Sequence, residues 1–175
     1  TEKNNAQLMI IDTHCHAGQN WFLPIESLEF EMNRVGVDAA VLIQHGGTYN
    51  NDYLFEEAAK RGDRFKVVVM VDPTDPDPLG TLEKLAGQGA AGVRIAPDGA
   101  FDALSDVTDI WRRAGELGLA ISSLGNAKQF SAPTFKKIID DCPDTQIVIE
   151  HLAGVGITDP PYTDYESALE CAQRP

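Results

Sequence analysis

Apolar runs rich in Val and Ile recur along the chain, beginning at Leu8 (LMIIDT), Asp38 (DAAVLIQ), Lys66 (KVVVMV), Ala91 (AGVRI), Leu119 (LAISS) and Gln146 (QIVIE). None alternates apolar with polar positions, so each predicts a strand buried on both faces. Their starts lie 30, 28, 25, 28 and 27 residues apart. The intervening segments have helical spacing. Residues 24–34 open with Pro24 and carry Glu26 in the first turn. Residues 51–60 put Tyr53, Leu54, Phe55 and Ala58 near one face, and residues 81–85 continue the pattern. Residues 102–117 line up Leu104, Val107, Ile110, Trp111 and Ala114. Ser131, ahead of Ala132 and Pro133, reads as the cap of a helix running to Asp140. Gly87, Gly89, Gly115 and Gly118 fall where helices should end.

Strand and helix alternate, which predicts parallel strands joined by helical crossovers. Six such units fit the chain, and the Pro-rich stretch 72–78 reads as a loop after the third strand. A closed (β/α)8 barrel takes about 250 residues. Two architectures therefore remain: an open six-stranded sheet, or a barrel lacking its last two βα units. Either way, residues 1–175 read as a single domain.

Composition narrows the function. The chain has 175 residues and a net charge of −13, from 14 Lys plus Arg against 27 Asp plus Glu. That balance argues against nucleic acid and anionic membranes as partners. A small anionic substrate stays admissible, because one local Arg or Lys suffices to bind it. The longest apolar stretches, such as 67–71, are only a strand long, so no membrane span is expected. Residues 1–7 are polar and resemble no targeting segment. Cys15, Cys142 and Cys171 are odd in number and widely spaced, which points to inert thiols in a reducing cytoplasm.

Chemistry is expected at the carboxyl ends of the strands. Reading those ends in order gives Asp12, His14 and His16, then Gln44 and His45, then Asp72, Arg94, Ser122 with Ser123, and His151. All four histidines fall there. In His14-Cys15-His16, residues two apart on an extended segment point to one side, so both imidazoles can reach one metal ion. His151 closes a buried strand, where it reads as a further ligand or as a proton donor and acceptor. His45, ahead of two glycines, is a candidate for lining the pocket. Arg94 sits inside an apolar strand and needs partners: an ion pair with Asp72 or Glu150, or the carboxylate of a substrate.

At these positions the sequence resembles the amidohydrolase superfamily, and within it the amidohydrolase-related branch with its lactonase-like members. The matching segments are IIDTHCH (10–16), VVVMVDPTDPDPLGTLEKLAGQGAAGVRI (67–95) and PDTQIVIEHLAG (143–154). The resemblance implies a TIM-like (β/α)8 barrel of which about six units are present. It also implies metal or substrate contact by His14 and His16, catalytic assistance by His151 and a carboxylate contact by Arg94. The cofactor implied is a divalent metal, zinc or manganese, or none, as in some lactonase-like members. Two departures stand out. Ser122-Ser123 replaces the fifth-strand His of many members, and the Asp that the family carries after its eighth strand is not reached by residue 175. The implied activity is hydrolysis of a lactone, ester or amide. Decarboxylation by a related metal site is the alternative, and an inactive barrel serving as a binding or assembly module is a third reading. Homo-oligomerisation is allowed for, because open strand edges promote association.

Overall fold

The structure, a computed structural model, describes residues 8–155 and 162–173. It consists of two compact units, Thr1–Val67 and Val68–Pro175. The polar segment 1–7 lies outside the described residues.

In the first unit, β1 (Ile11–Cys15) leads to α1 (Ile25–Val35), β2 (Ala39–Ile43) and α2 (Asp52–Ala59). β1 and β2 are parallel, with Ile11 opposite Ala39 and Cys15 opposite Leu42. Pro24 stands at the N-cap of α1. The helix ends where Gly36, at φ 79°, turns left-handed and donates its N–H to Met32. α1 and α2 are tied by Arg61, which donates to Glu26 and Glu29 of α1 and to Glu57 of α2.

The second unit takes up the chain within β3 (Phe65–Val69), followed by α3 (Pro78–Gly87), β4 (Gly92–Arg94), α4 (Thr108–Glu116) and β5 (Ala120–Ser123). After these come α5 (Ala127–Ser131), α6 (Pro133–Asp141), β6 (Ile147–Ile149) and α7 (Thr163–Cys171). Its strands pair in parallel and in chain order: Val69 with Val93, Val93 with Ile121, and Ile121 with Ile147. Helices pack through Trp111 and Phe135, whose ring centroids are 6.0 Å apart, and through Phe130 and Phe135 at 5.0 Å.

Several expectations change. β4 and β5 have the buried character their sequence predicts, whereas Leu8, Met9, Ile10 and Ile11 and, in β6, Val148 are exposed. An uninterrupted apolar run reports the propensity for a covered strand; what covers it is a tertiary matter. The helix expected over 102–117 begins only at Thr108, because the Asp106 carboxylate accepts the Thr108 N–H and stops the chain from coiling earlier. Ser131 does not cap α6. It ends α5, with its hydroxyl donating to Lys128, and Ala132 stands at the cap. α5 itself was not foreseen, although Asn126 and Gln129 form its reciprocal capping box. Gly115 is the next-to-last residue of α4, at the helix end as expected. A Cβ there would meet Thr145 Oγ1 at 2.3 Å, so its role is close approach. Pro78 starts α3 instead of ending a loop, with the Asp77 carboxylate accepting from Gly80.

Candidate functional site

The first unit gathers three of the four histidines around the ends of β1 and β2. His14 and His16 flank Cys15, and the two-residue period brings their Nε2 atoms to 3.2 Å. His16 Nδ1 lies 2.8 Å from the Ile43 carbonyl, which can only accept. Nδ1 therefore carries the proton, and the Nε2 of neutral His16 presents a lone pair. The Phe22 ring stacks on His16 with centroids 4.4 Å apart and planes 20° from parallel. Carbonyl and phenyl together fix the ring in both position and tautomer.

This pair fits a divalent metal. Two imidazole nitrogens on a tetrahedral zinc, at ~2.05 Å each, stand about 3.3 Å apart. The hydrogen bond to Ile43 is the outer support that metal-binding histidines ordinarily have. Cys15, between them, is turned to the opposite side of the extended segment by the same two-residue period. Burial, reinforced by the neighbouring Asp12 carboxylate, pushes its thiol up to about 12.

His45 belongs to the same neighbourhood. Its ring meets Trp21 edge-on at 5.4 Å and lies 5.2 Å from Phe22, while Thr48 Oγ1 approaches His45 Nε2 at 3.3 Å. Gln44 fixes this corner by accepting the His45 N–H and donating to Asn50. Trp21 and Phe22 stack at 5.6 Å and were not singled out in the sequence. The cue was available: Asn20-Trp21-Phe22 places two aromatic residues in the loop between the HxH segment and Pro24.

The second unit assembles a different group. Arg94 is buried at the end of β4 and takes Glu150, of the two candidate ion-pair partners, in a two-pronged contact. Its Nε donates to Oε1 at 2.9 Å and its Nη2 to Oε2 at 2.6 Å. Ser122 of β5 donates to the same Oε1 at 2.7 Å. His151 follows immediately, with Nε2 3.7 Å from Glu150 Oε2 and its side chain 53% exposed. Ser123 is turned elsewhere, donating to the Ile95 carbonyl. Asp72 accepts from Thr74 in its own loop.

The backbone after β6 is unusual. His151, Leu152 and Ala153 have φ of 52°, 52° and 56°, so three successive residues with side chains adopt the left-handed conformation. Each costs roughly 1–2 kcal/mol relative to the right-handed one. Nothing in the sequence His151-Leu152-Ala153 asks for such a turn.

Comparison with known proteins gives a consistent picture. The family described as amidohydrolase matches residues 11–175. A comparison with curated proteins finds no match. Among solved structures, a probable 2-pyrone-4,6-dicarboxylic acid hydrolase from Acinetobacter baumannii, with citric acid bound, is similar at a TM-score of 0.70 and 21% identity. The match covers 94% of this chain and 66% of that one. An amidohydrolase from Burkholderia multivorans with bound zinc gives a TM-score of 0.74 at 17% identity, covering 95% of this chain and 67% of that one. The IDCase of Metarhizium anisopliae in apo form gives 0.71 at 13%, covering 85% and 66%. The likeness shows the fold, that of a (β/α)8 barrel with six βα units in this chain. The chain spans about two thirds of the length of the structures it matches.

Proposed function

Because the chain belongs to the amidohydrolase family, we propose that the whole protein hydrolyses a small carboxylated or sugar-derived lactone, or a related ester or amide. The observation that carries this reading is the His14–His16 pair, with Nε2 atoms 3.2 Å apart and the His16 tautomer set by Ile43. His14 and His16 would hold a divalent metal, zinc or manganese. When bound, such an ion supplies Lewis-acid polarisation of a carbonyl oxygen and acidifies water.

The remaining roles belong to the chain's own side chains. In lactone opening a water oxygen bonds to the carbonyl carbon, the ring C–O bond breaks, one water hydrogen stays with the new carboxyl group, and the other must reach the departing alkoxide. His151, half-exposed beside Glu150, is the group proposed to carry that proton. Arg94 supplies positive charge for an anionic substrate, with Glu150 holding its guanidinium plane in place. His45, packed on Trp21 and Phe22, lines the substrate side of the histidine pair. The proposal takes residues 1–175 as part of one barrel domain. It places the protein in the cytoplasm, where three buried free thiols persist unoxidised. Small molecules are its proposed partners: the net charge of −13 disfavours nucleic acid. Among the described residues no helix is long and apolar enough to cross a membrane.

The test is turnover of 2-pyrone-4,6-dicarboxylic acid and a panel of sugar lactones by the full-length, metal-loaded protein, followed as acid release. Hydrolysis that disappears in His14→Ala supports the reading. Carbon dioxide release from a carboxylated ring substrate, without ring opening, would replace it with decarboxylation.

A further inference from the structure

Glu150 and Glu57 are the buried acids among the described residues, and only the Glu150 carboxylate is gripped from two neighbouring strands. Arg94 of β4 stands opposite Ser122 of β5, and Ser122 stands opposite Val148 of β6. Glu150 lies two residues beyond Val148, and therefore on the face that Ser122 and Arg94 present. Arg94 Nε and Ser122 Oγ donate to its Oε1, and Arg94 Nη2 donates to its Oε2. A buried ion pair of this kind adds little to stability compared with an apolar replacement. What it does supply is a fixed position for the backbone that carries it.

That backbone has something to hold. Directly after Glu150 the chain turns left-handed through His151, Leu152 and Ala153, none of them glycine, and Val155 closes the turn by donating to the Leu152 carbonyl. Three such residues in succession persist only where their surroundings over-determine them. Leu152 is exposed and contributes little packing. The Glu150 carboxylate anchors one end of the turn, and buried Ala153 lies at the other.

We propose that Glu150 is a positioning residue: the grip of Arg94 and Ser122 on its carboxylate holds the left-handed turn that presents the His151 imidazole. This role rests on the reading that His151 carries a proton in hydrolysis. It assigns to Arg94 and Ser122 an action through Glu150 as well as any contact with substrate.

The experiment compares Glu150→Gln, Ser122→Ala, Ala153→Gly and His151→Ala in the full-length protein. It reads kcat and KM on 2-pyrone-4,6-dicarboxylic acid, the melting temperature, and the His151 ring resonances in a proton–carbon correlation spectrum. Ser122→Ala removes one donor and leaves the ion pair, so it keeps the question open to test if Glu150→Gln does not fold. Both variants are expected to lower kcat by about tenfold or more and to shift the His151 resonances while those of His45 stay in place; KM should stay nearly unchanged in Ser122→Ala and rise in Glu150→Gln, which also loosens the hold on Arg94. Ala153→Gly is expected to keep or raise the melting temperature, because glycine adopts this conformation without a Cβ penalty. If His151→Ala abolishes turnover but Ser122→Ala leaves both kcat and the His151 resonances unchanged, the positioning role is overturned while the functional reading stands. If His151→Ala leaves turnover intact, the functional reading fails. The resonances then decide the positioning claim alone: unmoved signals overturn it and shifted ones support it.

Discussion

The Nε2 atoms of His14 and His16 face each other at 3.2 Å, and the Nδ1–H of His16 is committed to the Ile43 carbonyl. That leaves the His16 Nε2 lone pair facing His14 Nε2. A divalent ion would use the Nε2 lone pairs of both rings, displacing any proton held there. His14→Ala should therefore abolish stoichiometric zinc or manganese binding, measured by plasma mass spectrometry after dialysis. The melting temperature of the metal-free protein should move by no more than about 5 °C. Full metal content in the variant would end the assignment.

Phe22 should matter to the same ion without touching it. Its ring covers one face of His16 at 4.4 Å, so Phe22→Ala frees the imidazole to rotate while sparing the bond to Ile43. Loss of such outer support weakens metal binding by about tenfold or more. Competition with a chromophoric chelator measures this, and an unchanged affinity would show that the carbonyl alone orients the ring.

Gly92 begins β4 where a Cβ would lie 2.5 Å from the Ala120 carbonyl of β5. A backbone atom in a paired strand has little room to retreat. Gly92→Ala should cost about 1–3 kcal/mol in the manner of an overpacked core, read as a lower urea midpoint. Gly36→Ala offers the contrast: nothing lies within 4 Å, and its cost should come from φ 79° alone.

Acid should loosen the first unit through Glu57. Hydrogen bonds from Lys60 and then Arg61 hold its carboxyl below the usual glutamate range. A group whose folded pKa is depressed stabilises the fold above its unfolded pKa, and that contribution is lost as pH falls through the folded value. Stability should therefore decline below about pH 4.3, the ordinary value for glutamate. Glu57→Gln should flatten that part of the curve. The check is the melting temperature of both proteins between pH 7 and pH 3. Parallel curves would remove Glu57 from the account.

The alternation of strand and helix was legible because each buried parallel strand leaves the same mark, an unbroken run of Val and Ile at intervals of nearly constant length. The HxH pair was legible for a similar reason: a period of two is a local property of extended chain and needs no partner to be read. Arg94 announced that it required a counter-charge, and Glu150 was one of two acids it could have taken.

Other features were decided by parts of the chain distant in sequence. Gly115 marked a helix end in the sequence, but nothing local said that Thr145 would come to rest against it. The exposure of Leu8 to Ile11 depends on what lies over them, which the residues of one strand do not encode. The left-handed turn at His151 contradicts its own local preferences. Propensity and period act over a few neighbours and were written into the sequence directly. Close approach, burial and imposed strain are properties of surfaces meeting across the fold, so they exist only once Arg94, Ser122 and Glu150 have been brought together.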